Sequence, residues 1–285
     1  MSTCKVALVQ TNSKAEPADN IAEVGALIRQ AKADGAGLIT TPEIVGMLAK
    51  SKADSFARVK PEEEHEVLAA FRGLAAELGV WILIGSISIK LSDDKMANRS
   101  FLVNPTGDIV ARYSKIHMFD VQVGDGRVYR ESSTYQPGEQ SVLVDTPWGV
   151  AGMTICYDIR FPYLYRSLAQ AGAKMIFAPA AFTKVTGQAH WHVLQRARAI
   201  ENGCFIISPA QWGTHADGRE TYGHSIVVTP WGEVLADAGE GVGVTMAEID
   251  LSLVDTARTK VPSLTHDRDY GDPVLFSSER REAGD

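Results

Sequence analysis

The chain is short of cysteine, of basic charge and of long apolar runs, and each shortage closes off a class of protein. Its three cysteines, Cys4, Cys156 and Cys204, are odd in number and form no C-x-x-C pair, which argues against a disulfide framework and against the usual zinc or redox spacings. A cytoplasmic protein of a reducing compartment is expected. The 28 basic residues are scattered and outnumbered by 35 acidic ones, for a formal charge of -7. There is no positive field to gather phosphates, and no nucleic-acid partner is expected. No uncharged apolar run approaches the roughly 18 residues of a membrane span. Met1-Ser2-Thr3-Cys4-Lys5 enters a strand-like stretch with no signal-peptide pattern, so neither secretion nor membrane insertion is expected.

What the chain does have is a hydrophobic content of 45% over 285 residues, enough to bury a large core. Residues 6–10 read as a strand, 19–33 as a helix with Asp19 as N-cap and Gly35 near its end, and 37–41 as a second strand. A helix over 62–78 leads into a strand over 81–87, whose Trp-Ile-Leu-Ile run suits a strand covered on both faces. This βαβα order predicts an α/β fold. Strands over 99–103 and 109–113 flank Asn104-Pro105-Thr106-Gly107-Asp108, a hairpin turn. The pattern returns downstream, where residues 224–234 echo 99–109, and the order strand 175–178, helix 189–202, strand 204–208 mimics the opening unit. Two such halves, each with helices on one side of its strands, predict a four-layer α-β-β-α sandwich, one domain over residues 1–250. Residues 251–285 are more polar, carry Arg258, Lys260, Arg268, Arg280 and Arg281, and read as a C-terminal arm packing on the domain or on a partner subunit. A homodimer or larger homo-oligomer is therefore expected.

Three chemically distinct groups fall at predicted strand ends. Cys156 closes the apolar run 150–155 and precedes Pro162, which suits the first turn of a helix to about residue 171. A thiol at such a strand-to-helix turn stands at the carboxyl edge of a sheet, with the following N–H groups placed to stabilise an oxyanion. Read alone, Cys156 is equally a buried core residue. Glu43, in Thr41-Pro42-Glu43, and Lys115, after the hairpin strand, also end strands; singly they read as a solvated carboxylate and a surface lysine. Together they supply a nucleophile, a proton carrier and a fixed positive charge, the parts that amide hydrolysis requires.

The segments Pro42-Glu43, Tyr113-Ser114-Lys115-Ile116-His117 and Ile155-Cys156-Tyr157-Asp158-Ile159-Arg160-Phe161-Pro162 resemble, in order, the Glu, Lys and Cys motifs of the nitrilase superfamily of carbon–nitrogen hydrolases. Pro179-Ala180-Ala181-Phe182, Ala189-His190-Trp191-His192, residues 196–202 and Tyr222-Gly223-His224-Ser225 extend the resemblance to the Nit branch over nearly the whole chain. The resemblance implies the same four-layer fold and a hydrolase of linear amides needing no metal or organic cofactor. It also implies roles: Glu43 as general base and acid, Lys115 and the Tyr157 N–H as oxyanion stabilisers, and Cys156 as the residue carrying a thioester intermediate. Family members hold a second glutamate in the long loop 121–140, and Glu131 matches it, orienting Lys115 or the substrate amide. Residues 210–215 with 219–225 are more similar to the deaminated glutathione amidases than to the ω-amidases, implying a small carboxylate-bearing amide of a 2-oxo acid. Arg160 and Thr183 are the candidates to grip that carboxylate, beside Tyr157 and Phe182 as substrate-contacting residues. Arg160 serves equally well as an ion-pair partner of Asp158.

Other signals carry less. His190 and His192 point to different faces of one helix, so they do not chelate a metal together. The glycines of residues 239–243 precede a strand-like rather than a helical pattern, unlike a dinucleotide loop. Cys204 opens an apolar strand and reads as core. A papain-like thiol hydrolase with a histidine base and a non-catalytic binding protein on the same fold are the two alternatives that the sequence leaves open.

Overall fold

A computed structural model describes residues 3–124 and 126–276. The first sheet uses β1 (Thr3–Gln10), β2 (Leu38–Thr40), β3 (Trp81–Lys90), β4 (Met96–Val103) and β5 (Ile109–Ser114). The second uses β6 (Val142–Thr146), β7 (Gly149–Met153), β8 (Met175–Phe177) and β9 (Phe205–Ser208). After a small hairpin, β10 (Trp212–Thr214) and β11 (Glu220–Tyr222), β12 (Ile226–Val228) and β13 (Val234–Asp237) complete the second sheet, and β14 (Gly243–Asp250) returns to the first. The helices are α1 (Pro17–Ala33), α2 (Lys52–Arg58), α3 (Glu66–Leu78), α4 (Pro162–Gln170), α5 (Lys184–Asn202) and α6 (Ser252–Lys260).

Strand order is β14-β1-β2-β3-β4-β5 in one sheet and β13-β12-β9-β8-β7-β6 in the other. Each has three parallel central strands, an antiparallel hairpin on one side and one antiparallel strand on the other. The two halves correspond down to their irregularities. Both hairpins slip register at matching points, between Leu102 and Val103 and between Val227 and Val228. Their turns close with the same bonds, Gly107 N–H to the Asn104 carbonyl and Gly232 N–H to the Thr229 carbonyl, each 2.9 Å. Gly107 and Gly232 both stand at positive φ, 83° and 87°, where a side chain would be strained.

The alternation of β1 shows why four layers form. Val6 and Leu8 point into the core between the sheets, with Met153 and Met175 opposite; Ala7 and Val9 point outward under α1 and α3, against Ile28 and Phe71. Both faces of the strand are thus dry, which is what its unbroken apolar run requires.

The expected elements are present with shifted boundaries. The N-cap of α1 is Glu16 rather than Asp19, because Pro17 presets the helical φ one turn earlier. The helix expected over 62–78 divides at His65, whose backbone is extended, into a 3-10 turn (Glu62–Glu64) and α3. Among the described residues of the loop 121–140 only the 3-10 turn Glu131–Ser133 is helical. The segment expected to form an arm begins with α6, which buries Val254 and Ala257, with Val254 joining the core between the sheets. Further on, Asp267 pairs with Arg166, and residues 268–276 are exposed. Arg280 and Arg281 lie outside the described residues. No helix among the described residues is long and apolar enough to cross a membrane.

One break in the first sheet matters for the site. β3 leaves its ladder with β4 between Ile84 and Ile87, and the freed groups hold the loop after β2. The Ser86 hydroxyl accepts the Ile44 N–H at 2.8 Å, the Ser86 carbonyl accepts that of Val45 at 2.9 Å, and the Gly85 N–H reaches the Thr41 hydroxyl at 3.0 Å. A Cβ on Gly85 would stand 1.9 Å from the Thr41 carbonyl oxygen and 2.5 Å from that of Pro42. Gly85→Ala is therefore expected to lower stability by about 2 kcal/mol or more, measured by urea unfolding; an unchanged midpoint would show that the loop is not seated on β3 in this way.

Candidate active site

Glu43, Lys115 and Cys156 come from three strand ends and meet in one place. Glu43 follows β2 in a loop whose next residue, Ile44, is held at φ 55°, a conformation that a β-branched residue adopts only under constraint. Lys115 follows β5, with its N–H on the Asn98 carbonyl at 2.9 Å. Cys156 follows β7 and opens the 3-10 turn Cys156–Arg160 at φ 48°, its N–H bound to the Pro179 carbonyl at 2.9 Å. Asp158 fastens that turn from below. Its carboxylate accepts the Ile155 N–H at 2.9 Å, the Tyr113 hydroxyl at 2.7 Å and the His117 N–H at 3.1 Å, with the His117 ring at 2.7 Å.

Glu43 accepts from both sides. Its Oε1 takes the Lys115 ammonium and the Asn98 amide, each at 2.9 Å, and its Oε2 takes the Ala181 N–H at 2.7 Å. The Cys156 thiol stands close enough to this carboxylate for each to bias the other's protonation. Glu131 grips the other side of Lys115, at 3.0 Å and 2.9 Å, while its Oε2 accepts the Phe119 N–H at 2.6 Å. The residue matched by resemblance thus touches the ammonium directly.

These contacts set the charge states. Burial alone would raise the Glu43 carboxyl, but the Lys115 charge and the bonds from Lys115, Cys156 and Ala181 hold it below its usual range. Burial would lower Lys115, yet Glu131 and Glu43 raise it well above its ordinary value. The Cys156 thiol is pushed far up by burial and by the Glu43 charge, with Lys115 pulling the other way. At rest the site holds a carboxylate, an ammonium and a neutral thiol. Cys4 and Cys204, both buried, are pushed up to about 12 by burial, as suits cysteines of the core.

Above these groups opens a cavity of about 490 Å³, within the usual range for small-molecule sites. Tyr157, Phe182 and Thr183 line it, whereas Arg160 does not. The Arg160 guanidinium sits 5.9 Å and 5.3 Å from the ring centres of Tyr157 and Phe182, and its Nη2 faces His190 at 3.2 Å. It makes no ion pair with Asp158, which Ile155, Tyr113 and His117 already occupy. Thr183 bonds the Thr186 hydroxyl at 2.7 Å. No histidine lines the cavity among the described residues.

Several contributors escape a reading of the sequence. Asn98, on β4, bonds both glutamates, at 2.9 Å and 3.3 Å; a buried Asn inside an apolar strand was its one signal. Gln211 donates to the Glu43 carbonyl at 2.9 Å, and Arg219 lines the cavity. Outside the site, His190 and His192 do diverge, but His192 meets groups from other elements. Its Nε2 lies 2.8 Å from Asp237, which also pairs with His224 at 2.9 Å, and ligand-type atoms of all three lie within 4.8 Å of one another. Helical spacing could not reveal partners from β13 and the β12 approach.

Comparison with known proteins gives consistent matches. Residues 5–259 match the carbon–nitrogen hydrolase family. The chain is 42% identical to a deaminated glutathione amidase of Yersinia enterocolitica over 287 residues, 99% of each chain. Its fold is similar to the crystal structure of Caenorhabditis elegans NitFhit, with a TM-score of 0.87 and 33% identity over 94% of this chain and 66% of that one. Saccharomyces cerevisiae Nit3, a member of branch 10 of the nitrilase superfamily, superposes with a TM-score of 0.83 and 32% identity, covering 94% and 97%.

Replacing the ammonium exposes the electrostatics. Lys115→Met leaves the buried Glu43 and the half-buried Glu131 carboxylates without their cation, an expected loss of about 3–5 kcal/mol. In the parent protein the depressed Glu43 value adds stability above its unfolded value of about 4.3 and loses it only as pH falls through the lower folded value. In the variant burial dominates and the sign reverses, so the deficit is expected to be larger at pH 8 than at pH 5, read by urea unfolding at both. An equal deficit would contradict this account.

Proposed function

The chain belongs to the carbon–nitrogen hydrolase family and hydrolyses carbon–nitrogen bonds other than peptide bonds; from that premise we propose that it is a cysteine amidase whose substrate is deaminated glutathione. The observation that carries the reading is the Glu43 carboxylate, ionised, shared by Lys115 and Asn98 on one oxygen and by Ala181 on the other, in a site that also holds the Cys156 thiol. It is an ionised base beside the thiol whose proton it must take.

In this mechanism Glu43 removes the Cys156 proton as sulfur attacks the amide carbon. The developing oxyanion is met by the Lys115 ammonium and the Tyr157 N–H. As the tetrahedral species collapses, the carbon–nitrogen bond breaks and Glu43 gives its proton to the departing amine. Water then enters, loses a proton to Glu43 and attacks the thioester. The thiol leaves, recovers that proton, and the acid is released. Glu131 holds Lys115 in place throughout and is a positioning residue.

Deaminated glutathione carries a 2-oxo acid carboxylate on its acyl half and a dipeptide as leaving amine. The acyl half fits beside Tyr157, Phe182 and Thr183, with Arg160 stacked behind the two rings, outside the cavity lining, where its positive charge supports those rings rather than touching the substrate. The same reading sets the enzyme in the cytoplasm, in keeping with its free cysteines. It also has the chain assemble as a homodimer or larger, in keeping with the exposed Val193 and Ile200 on α5 and Trp231 nearby in sequence to β13.

The test is product release across deaminated glutathione, 2-oxoglutaramate, simple aliphatic amides, nitriles and N-carbamoyl amino acids. Deaminated glutathione is expected to give the highest kcat/KM, Cys156→Ala to abolish turnover, and Glu43→Gln to lower kcat by roughly 10²–10⁴-fold. A Glu43→Gln enzyme retaining most of its activity would instead favour a histidine base. Because the Glu43 carboxyl is held below its ordinary value and the Cys156 thiol well above its own, kcat/KM is expected to be flat between about pH 6 and pH 9, with no inflection near the ordinary thiol value of about 8.5. A bell centred between these limits would contradict the assigned charge states.

A further inference from the structure

The cavity changes sign between its floor and its rim. At the floor lie the buried Glu43, Lys115 and Cys156, 4%, 2% and 8% exposed. Toward solvent the lining includes Lys50, Lys52, Arg127, Arg130 and Arg219, and among the described residues, beyond the floor glutamates, one carboxylate, Asp217. In a chain of net charge -7, such a local excess of cations describes a preference for anions.

Arg219 is the most constrained of the five. It stands in the connection between β10 and β11, where its N–H donates to Asp217 Oδ1 at 2.8 Å and its Nη2 reaches Oδ2 at 3.2 Å. Its guanidinium carbon lies 5.9 Å from the centre of the Tyr129 ring. Its Nε is buried and has no hydrogen-bond partner among the described residues. A buried donor left bare costs about 1–3 kcal/mol, a cost that an incoming acceptor would remove. Arg127 lies beside it, its Nη2 donating to the Asp217 carbonyl at 3.0 Å.

The position of this pair relative to the chemistry is also defined. Arg160 belongs to the turn that carries Cys156 and stacks on Tyr157 and Phe182, the acyl side. Arg219 is carried by the β10–β11 hairpin, which is fastened to the lining by the Tyr222 N–H on the Phe182 carbonyl at 3.0 Å, and with Arg127 it lines the less buried part of the cavity rather than its floor. The scissile carbon must reach Cys156 on the buried floor, and the dipeptide amine half is the longer of the two halves, so its far end is the part of the substrate that extends to the rim where Arg219 and Arg127 stand.

We propose that Arg219, together with Arg127, forms a receptor for a carboxylate on the amine half of the substrate, so that the cavity selects amides charged at both ends. The assignment rests on the amidase reading above and sharpens it: the enzyme recognises its leaving group as well as its acyl group. In deaminated glutathione the group received is the terminal glycine carboxylate.

The experiment compares kcat/KM for deaminated glutathione and for its C-terminal carboxamide, in which only that carboxylate is neutralised. The parent enzyme is expected to prefer the acid by roughly 10- to 100-fold, mainly through KM, as a charge-assisted bond to guanidinium implies. In Arg219→Gln the preference collapses toward one, and in Arg219→Lys, which keeps the charge without the fork, it is intermediate. A parent enzyme that does not discriminate, or an Arg219→Gln enzyme that still does, overturns the assignment and leaves the amidase reading standing. A parent enzyme that cleaves neither compound overturns both. The comparison on the parent enzyme involves no substitution, so a variant that fails to fold does not shield the proposal.

Discussion

An ammonium group buried to 2% exposure is the constraint around which the site is built. Taking it from water costs several kcal/mol unless it is paired and fully hydrogen-bonded, and Lys115 satisfies that demand with two carboxylates rather than one. The second carboxylate leaves the floor of the cavity with an excess of negative charge, which Asn98, Phe119 and Ala181 stabilise by donating to it. That excess decides where the proton of Cys156 rests. Sulfur beside an anion keeps its proton, and in the proposed mechanism it becomes a nucleophile only as Glu43 accepts that proton. The arrangement differs from thiolate enzymes in which a neighbouring cation ionises the cysteine in advance.

Holding such groups in contact requires the sheets to stop being regular. A strand whose ladder is complete has no spare donors or acceptors with which to aim a loop. Here β3 abandons its partner for two residues and spends them on the Glu43 loop, and the adjacent Ile44 takes a backbone conformation that it would not choose alone. Cys156 does likewise at the end of β7, with Asp158 underneath as the anchor. Strain at these two positions persists because three or more bonds over-determine each one.

The same logic explains what the sequence disclosed. Apolar alternation, the repeated hairpin and the chain order of helices and strands follow from local periodicity, and these were sufficient to infer two sheets and four layers. The glutamate, lysine and cysteine stood out because strand ends are marked by Pro42, by the end of a hairpin and by Pro162. Asn98 did not, because a polar residue inside a strand reveals its purpose only when the opposing loops are in place. Asp158 was weighed as a partner for Arg160, whereas it accepts from Tyr113 and His117, groups brought in by another strand end. Arg219 lay in a loop with no periodicity at all. What was hidden in each case is a contact between distant parts of the chain, which composition and spacing do not encode.

The return of β14 to pair along the whole of β1, from Thr3 opposite Asp250 to Gln10 opposite Gly243, has a consequence for how the protein is born. A chain emerging from the ribosome offers β1 first and its antiparallel neighbour last, with the entire second sheet synthesised between them. Until then one edge of the first sheet is open, a row of unpaired N–H and C=O groups able to recruit another strand. The second sheet has no such wait, since β6 precedes β7 directly. The half of the molecule made first is therefore the half that is sealed last.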